Sequence, residues 1–411
     1  MGNEAKTDNL GNMKKESSPK MVASAGGYKD RAWFLRFWNG MPFSVWFALM
    51  RRNRFQVGPW RIGMAVMMVV SSLINSLLGL LQSLFWGRKI AQTRIEQHPI
   101  FIVGHWRTGT TLLHELLVLD RRHTYPGNYA CFAPGHFVLS RRFLAPMLRC
   151  LFPNRRPIDN MEVTWDSPQE DEFAMCNLGA RSPYLTMAFP NRPPQDQEYL
   201  TLEGLPPEDV QRWKDTFLWF LKCITFREPK RIVLKSPPHT ARIKALLEIF
   251  PEARFVHIVR DPYVLFPSTV NLWKRLYKDE GFQTPRYEGL EEHVFDTLVR
   301  MYDSFERNRD LIPPGHFCEV RYEDLVADPI GQMRRVYEQL GLGGFDEVRP
   351  ELEKHMQGKA GYKRNRYEIS PELREEISRR WSKYIVKYGY GGGEEPLAGK
   401  TEETIRQTAC R

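Results

Sequence analysis

The chain has 411 residues, of which 42% are hydrophobic and 26% are charged, so it holds enough apolar side chains to fill one large core or two ordinary ones. Its 29 glycines and 29 prolines are close to average usage, which excludes a collagen-like or low-complexity protein. Lys and Arg outnumber Asp and Glu by 59 to 49, and the net charge of +10 suits nucleic acid, an anionic membrane or a polyanionic small molecule.

The first part of the chain separates into a polar tail and a helical region. Residues 1–28 contain almost no large apolar side chains and are predicted to be a flexible tail, whereas residues 29–97 are predicted to be helical. The tail lacks the apolar run of a signal peptide. The six cysteines show no CxxC pair and no zinc-site spacing, so we expect reduced thiols and no metal. We expect a cytoplasmic protein that can associate with a membrane.

One helix in this region is unusually apolar. Residues 62–87 carry no charge over 26 positions, which is long enough to cross a bilayer. Small and polar residues nevertheless recur along it at helical spacing, among them Ser72, Asn75, Gly79 and Gln82. Basic residues flank both ends, so their charge gives no orientation. The pattern favours a helix that covers the protein core or rests on a membrane surface over a helix that spans the membrane.

From residue 98 onwards, short apolar runs alternate with helical patterns. The run at 99–104 is followed by a helix from Thr110, and the pattern repeats at 231–234 with 239–250, at 253–259 with 262–276, and at 317–322 with 329–340. This alternation predicts an α/β fold in which helices flank a parallel, P-loop-like sheet. Residues 125–230 are predicted to be a mostly helical insertion that shapes an acceptor pocket, and residues 391–411 a second flexible tail.

The first strand leads into a loop suited to an anion. Residues 104–111 read Gly-His-Trp-Arg-Thr-Gly-Thr-Thr and lie before a helix, where backbone N–H groups and the helix dipole favour a phosphate. The spacing resembles a Walker A loop, but Thr110 stands at the lysine position and Arg107 is the only strong cation. The alternative is that the two glycines only permit a tight turn.

A second anion-binding element follows a later strand. Arg260 lies at the end of the run at 253–259, and Ser268 comes eight residues later on the following helix. Both side chains can donate to one phosphate, and the carboxyl ends of strands are where open α/β sheets bind ligands. The alternative is that Arg260 only pairs with an acid such as Asp261.

Together with the segment from Arg321 to Leu325, these motifs resemble the sulfotransferase superfamily, whose donor is 3′-phosphoadenosine 5′-phosphosulfate (PAPS). The resemblance covers residues 98–390, which it implies form a sulfotransferase domain, and residues 234–239 and 362–367 are most similar to the bacterial-type branch. Leu112 stands where cytosolic members have a tryptophan. The residues that the resemblance assigns to PAPS are Arg107, Thr108, Gly109, Thr110 and Thr111 at the 5′-phosphosulfate, Arg260 and Ser268 at the 3′-phosphate, Tyr322 near the base, and Arg364 in a late basic clamp.

The same resemblance implies catalytic roles. Lys235 would neutralise the leaving oxygen, Arg107 would act on the same atoms, and no metal is required. Two groups compete as the general base. One is His239, because histidine is the residue type whose ordinary pKa lies closest to neutral pH, and the other is Glu170, the first acid of the cluster Glu170-Asp171-Glu172.

The leading hypothesis is an enzyme that moves a sulfuryl group from PAPS to a hydroxyl or amine of a small molecule, lipid or glycan by in-line displacement. The alternatives are a P-loop-type kinase and a non-catalytic protein that binds anions at a membrane surface. We expect no nucleic-acid partner and a possible membrane contact through residues 30–90, and the sequence leaves the oligomeric state open.

Overall fold

The computed structural model describes residues 35–148, 164–358 and 367–391. Nearly all of the two predicted tails at 1–28 and 391–411 lies outside these ranges, as do Arg364 and the rest of the late basic cluster.

Five parallel strands form one sheet at the centre of the protein. They are β1 (Ile100–Val103), β2 (His123–Thr124), β3 (Arg231–Lys235), β4 (Arg254–Val259) and β5 (Phe317–Arg321), in the spatial order β2-β3-β1-β4-β5. Strand β1 is fully buried, as expected for a parallel strand covered on both faces. The α/β prediction is confirmed, although β2 was not predicted because two residues are too few to create a pattern.

The described residues also form fifteen α-helices, several of which cover the two faces of the sheet. They are α1 (Phe43–Arg52), α2 (Ile62–Gln92), α3 (Thr110–Leu117), α4 (Asn128–Phe132), α5 (Phe137–Met147), α6 (Asp171–Asn177), α7 (Pro207–Arg227), α8 (Ile243–Ile249), α9 (Pro262–Glu280), α10 (Leu290–Asn308), α11 (Tyr322–Ala327), α12 (Pro329–Gln339), α13 (Phe345–Gly358), α14 (Pro371–Arg380) and α15 (Ser382–Lys387).

Alternate strand residues face two separate cores. Phe101 and Leu234 point into the larger core, which α7, α9 and α10 cover, whereas Ile102 and Val233 point into the smaller core beneath α3, α12 and α13. The helix predicted over 239–250 is divided: Pro237–Ala241 forms a 3₁₀ turn and α8 begins at Ile243, because two prolines open the segment.

The strand order places a crevice at the end of β1. From the central β1 the chain adds β2 and β3 on one side of the sheet and then β4 and β5 on the other. Such a reversal of strand order separates the loops that follow neighbouring strands, and in open α/β sheets this is where ligands bind. The loop 104–109 follows β1, Arg260 follows β4 and Lys235 is the last residue of β3, so all three lie at the carboxyl ends of neighbouring strands.

Candidate active site

The loop between β1 and α3 is held by hydrogen bonds to its own backbone and to a neighbouring segment. The amide N–H of Gly104 donates to Thr240 Oγ1 at 2.7 Å, and the hydroxyl of Thr108 donates to the carbonyl of His105 at 2.7 Å. Arg107 adopts a positive φ of 71°. These contacts fix the loop just before the first turn of α3. The backbone N–H groups of that turn have no partner within the helix and can bind an anion.

Two glycines let this loop lie against its neighbours. Gly104 has a φ of +153°, and a Cβ there would lie 2.6 Å from the carbonyl oxygen of Ile258. Gly109 has a φ of +104°, and a Cβ there would lie 2.3 Å from Cδ2 of Tyr322. Both positions require glycine for conformation and for space. The ring of Tyr322 therefore closes one side of the loop.

Two guanidinium groups and one hydroxyl converge beside the loop. Arg107 Nε donates to Ser268 Oγ at 3.0 Å, and Arg260 Nη1 donates to the carbonyl of Arg107 at 2.8 Å. The Arg260 guanidinium stacks 4.1 Å from the centre of the Tyr322 ring. The hydroxyl of Tyr384 bonds to the backbone N–H and the backbone carbonyl of Arg260. The two predicted anion-binding elements thus form one cationic site, which suits a ligand with more than one phosphate-like group.

A second cluster lies next to this cationic site, at the end of β3. Lys235 Nζ contacts Glu170 Oε1 at 2.7 Å, and Tyr184 donates its hydroxyl to Glu170 Oε2 at 2.5 Å. Trp106 Nε1, from the loop itself, donates to the Tyr184 oxygen at 2.9 Å. Burial and the neighbouring Glu170 raise the pKa of Tyr184 well above its ordinary value, so its hydroxyl stays protonated. Glu170 is therefore two hydrogen bonds from the loop.

The acids of the predicted cluster have different partners. Asp171 Oδ2 lies 2.7 Å from His239 Nε2, and Glu172 makes a bidentate pair with Arg242 at 2.6 and 3.0 Å. These four side chains are buried, whereas the side chain of Glu170 is 16% exposed. Glu170 is the only acid of the three that can reach a ligand in the crevice.

His239 lies on the core side of this arrangement. It is 0% exposed, and its ring packs against Phe101 and Phe217. Burial by itself raises the pKa of Asp171, but pairing with His239 outweighs it and lowers the pKa below its ordinary value. The proline pair before His239 forms the 3₁₀ turn that directs the ring inward. In this position His239 helps to anchor α6, and with it Glu170.

The other predicted residues differ in exposure. Thr108 is fully buried and Thr110 nearly so, while Thr111 is half-buried at the start of α3. Trp106, Tyr184 and Thr240 belong to the site but were not predicted as functional. Trp106 lies within the loop motif, which was a usable signal, whereas Tyr184 and Thr240 are distant in sequence and carry none. In the described ranges, no group of three or more His, Cys, Asp and Glu side chains is placed to hold a metal ion.

Comparison with known proteins identifies the family. The model of the sulfotransferase family matches residues 99–347. The chain is 49% identical over 360 residues to the omega-hydroxy-beta-dihydromenaquinone-9 sulfotransferase Stf3 of Mycobacterium bovis, an alignment that covers 88% of this chain and 92% of the relative. The protein of the same name from Mycobacterium tuberculosis matches equally well.

Two solved structures share the fold. Sulfotransferase STF9 from Mycobacterium avium superimposes with a TM-score of 0.60 at 19% identity, covering 85% of this chain and 96% of that one. Sulfotransferase STF1 from Mycobacterium tuberculosis gives a TM-score of 0.57 at 19% identity, covering 83% and 98%. At this identity the two structures support the architecture alone.

Proposed function

The chain belongs to the sulfotransferase family and is a sulfuryl-transferring enzyme, and from this premise we propose that its donor is PAPS and its acceptor the terminal hydroxyl of a long isoprenoid quinone. The observation that carries the proposal is the convergence of Arg107, Arg260 and Ser268 beside the loop that also contacts the Glu170 cluster.

The residues present fit the donor. PAPS carries a phosphosulfate on the 5′ side of its ribose and a phosphate on the 3′ side, so it needs two anion sites close together. The amide groups at the start of α3 and the Arg107 side chain suit the first, and Arg260 with Ser268 suits the second. The loop glycines let the backbone lie directly against Ile258 and Tyr322, which holds the loop in the conformation that leads into α3.

The catalytic groups follow from the second cluster. We assign Glu170 as the general base: its carboxylate accepts from Lys235 and Tyr184 and keeps lone pairs for the proton of an acceptor hydroxyl. As that oxygen bonds to sulfur and the bond between sulfur and the leaving phosphate oxygen breaks, negative charge moves to the phosphate. Lys235 and Arg107 are the cations that can stabilise this charge.

The choice of Glu170 over His239 rests on access. A general base must come within hydrogen-bond reach of the proton it removes. His239 Nε2 is bonded to Asp171, and the whole side chain is buried. Glu170 has an exposed edge and lies beside the loop. We therefore assign His239 a positioning role.

The acceptor class comes from the relative and from the surroundings of Glu170. The 49% identical relative is named for the sulfation of a hydroxylated menaquinone, a lipid with a terminal hydroxyl. Aromatic rings adjoin Glu170 in this chain: Tyr184 packs 6.0 Å from Trp106 and 5.1 Å from Phe173, and Trp106 packs 5.6 Å from Trp273. All four rings are buried, so they give Glu170 apolar surroundings that are compatible with a polyprenyl acceptor, and the acceptor class itself rests on the relative. The buried cysteines of the described ranges are unpaired, which fits a cytoplasmic enzyme.

Binding of adenosine 3′,5′-bisphosphate tests the donor site. Arg260→Ala removes a charged donor and should weaken binding by about 10-fold or more, since such a hydrogen bond contributes roughly 1.5 kcal/mol or more. Arg309→Ala is the matched control, because Arg309 also stacks on an aromatic ring, Phe317, but lies at the other end of β5. Equal affinity in the two variants would contradict the assignment of the 3′-phosphate site.

A transfer assay tests the acceptor. The enzyme should move labelled sulfate from PAPS to a quinone with a terminal hydroxyl on its isoprenoid chain, and not to the same quinone without the hydroxyl. Transfer of labelled phosphate from ATP with magnesium would favour the kinase alternative. Bisphosphate binding without transfer to the hydroxylated quinone would support the donor and exclude this acceptor.

A further inference from the structure

Helix α2 is turned so that its polar stripe faces the protein. Ser72, Asn75 and Gln82 are buried, and Asn75 bonds to the carbonyls of Asn39 and Met41 and to Nε2 of His136. The opposite face is apolar and exposed. Its large side chains, each 38–75% exposed, are Ile62, Val66, Val69, Val70, Leu73, Ile74, Leu77, Leu80, Leu84 and Phe85. A surface helix of a globular protein has the reverse arrangement.

The exposed apolar side chains recur every three or four residues and therefore form one stripe along the helix. From Ile62 to Phe85 this stripe is about 35 Å long, at 1.5 Å per residue. Phe43, Phe47 and Phe55 are also exposed close to α2, and Trp60, just before it, is 93% exposed. Monomeric proteins seldom expose a continuous apolar patch of this extent unless it binds something. We call these side chains of 43–85 the apolar face.

The charge around the apolar face identifies its partner. Between residues 31 and 95 the sequence contains nine Lys and Arg residues and no Asp or Glu. Arg51 and Arg54 are exposed before α2, and Arg88, Lys89 and Arg94 are exposed at and beyond its end. An apolar stripe with basic residues at both ends and an exposed tryptophan is complementary to an anionic lipid surface.

The contacts of α2 exclude a membrane span. The stretch Pro59–Gln92 is long and apolar enough to cross a bilayer, and only 11% of its most apolar window is buried. However, side-chain and backbone bonds join it to the rest of the protein from Ser71, which contacts Asn39, to Ala91, whose carbonyl accepts from Lys222. From Ser71 to Ala91 the helix rises about 30 Å, the thickness of the hydrocarbon core. A spanning α2 would carry the charged catalytic domain into the lipid.

We propose that the apolar face is a membrane-docking surface on which α2 lies in the plane of an anionic leaflet, so that the enzyme binds one side of the bilayer. The docking itself does not depend on the proposed function. The consequence of docking for the acceptor does depend on the proposed function. Phe37 stacks 3.7 Å from Phe173 of α6, and Asn39 bonds to α2. One short segment therefore links the helix that carries the apolar face to the helix that begins beside Glu170. A quinone dissolved in the membrane would meet the enzyme on this side.

Vesicle flotation of the full chain tests the docking. Wild-type protein should float with vesicles containing phosphatidylglycerol and less with phosphatidylcholine alone. Leu77→Glu/Leu80→Glu should abolish flotation, whereas Leu311→Glu/Val386→Glu, which changes two equally exposed apolar side chains elsewhere, should float like wild type. Unchanged bisphosphate binding in both variants shows that they are folded. Equal flotation of the two variants, or none by the wild type, would overturn the proposal.

Two further measurements exclude the other arrangements. In a Cys150→Ser/Cys410→Ser background, Gln56→Cys and Gln92→Cys, placed near opposite ends of the stripe, should both react with a membrane-impermeant maleimide on protein bound to preformed vesicles. Protection of either one until detergent is added would indicate a span. Sedimentation of the lipid-free wild-type protein should show no dimer that depends on the apolar face, that is, no dimer that the change Leu77→Glu/Leu80→Glu dissociates. Such a dimer, retained when vesicles are added, would assign the apolar face to a second copy.

Discussion

Replacing Glu170 by glutamine tests the assignment of the general base. The amide keeps the shape of the side chain and an oxygen that accepts from Lys235, but it cannot take the proton of the acceptor hydroxyl. We expect kcat to fall by about 10²- to 10⁴-fold, which corresponds to roughly 3–5 kcal/mol of transition-state stabilisation. Binding of adenosine 3′,5′-bisphosphate should remain unchanged, because its predicted ligands lie on other segments.

The cost of this variant to stability should be moderate, because the amide oxygen still accepts from Lys235 but no longer carries a charge to pair with that buried ammonium group. The amide N–H₂ faces the Tyr184 hydroxyl, which loses its acceptor, and a buried unsatisfied donor costs about 1–3 kcal/mol. His239→Gln is the opposite case. It removes the partner of a fully buried carboxylate, and breaking a buried pair costs about 3–5 kcal/mol in the free energy of unfolding. Its kcat, measured well below its unfolding temperature, should stay within about threefold of wild type.

Three measurements on each variant separate the two roles: kcat with saturating PAPS and acceptor, the dissociation constant of the bisphosphate, and the free energy of unfolding in urea. Glu170→Gln should lower mainly the first, and His239→Gln mainly the third. If His239→Gln lost as much kcat as Glu170→Gln while it remained folded and bound the bisphosphate normally, His239 would be the base and the argument from burial would be refuted.

Two further predictions concern Gly109 in the loop and Glu280 at the end of α9. Gly109→Ala should destabilise the protein by more than the roughly 1–2 kcal/mol that a positive φ costs, and it should weaken bisphosphate binding, because the new Cβ meets Tyr322. Gly341→Ala is the control: Gly341 has a φ of +57° and nothing within 4 Å of its Cβ position, so the variant should lose only the energy of the backbone strain. Equal losses in the free energy of unfolding in the two variants would contradict the contact with Tyr322. Burial raises the pKa of Glu280 from 4.5 to about 7, so the unfolded chain loses this proton at a lower pH than the folded protein does. The protonated Glu280 therefore contributes to the stability of the folded protein fully below pH 4.5, and this contribution is lost as the pH rises through 7. Glu280→Gln should lack this decline, which amounts to about 3 kcal/mol in urea unfolding followed across this range, and an identical slope in both proteins would show that Glu280 does not cause it.

The sequence was sufficient for local features. The apolar runs at 99–104 and 253–259 predicted the strands β1 and β4, because residues buried on both faces of a parallel sheet must be largely apolar. The motif at 104–111 was recognisable because a glycine-containing turn between a strand and a helix concentrates its functional groups within eight residues. The spacing of Ser72, Asn75 and Gln82 likewise showed that one stripe of α2 is polar.

Tertiary structure decided which of these groups meet and which way they face. In sequence His239 was the first candidate for the general base and Glu170 its rival, and only packing showed that the core encloses His239 while the side chain of Glu170 is partly exposed. Periodicity cannot tell which stripe of a helix is turned outwards, so the exposed apolar face of α2 emerged only from its contacts with Asn39 and His136. Local pattern depends on neighbours along the chain, whereas burial depends on residues brought together from distant segments. The proposed general base and the proposed membrane-docking surface were both inferred from burial.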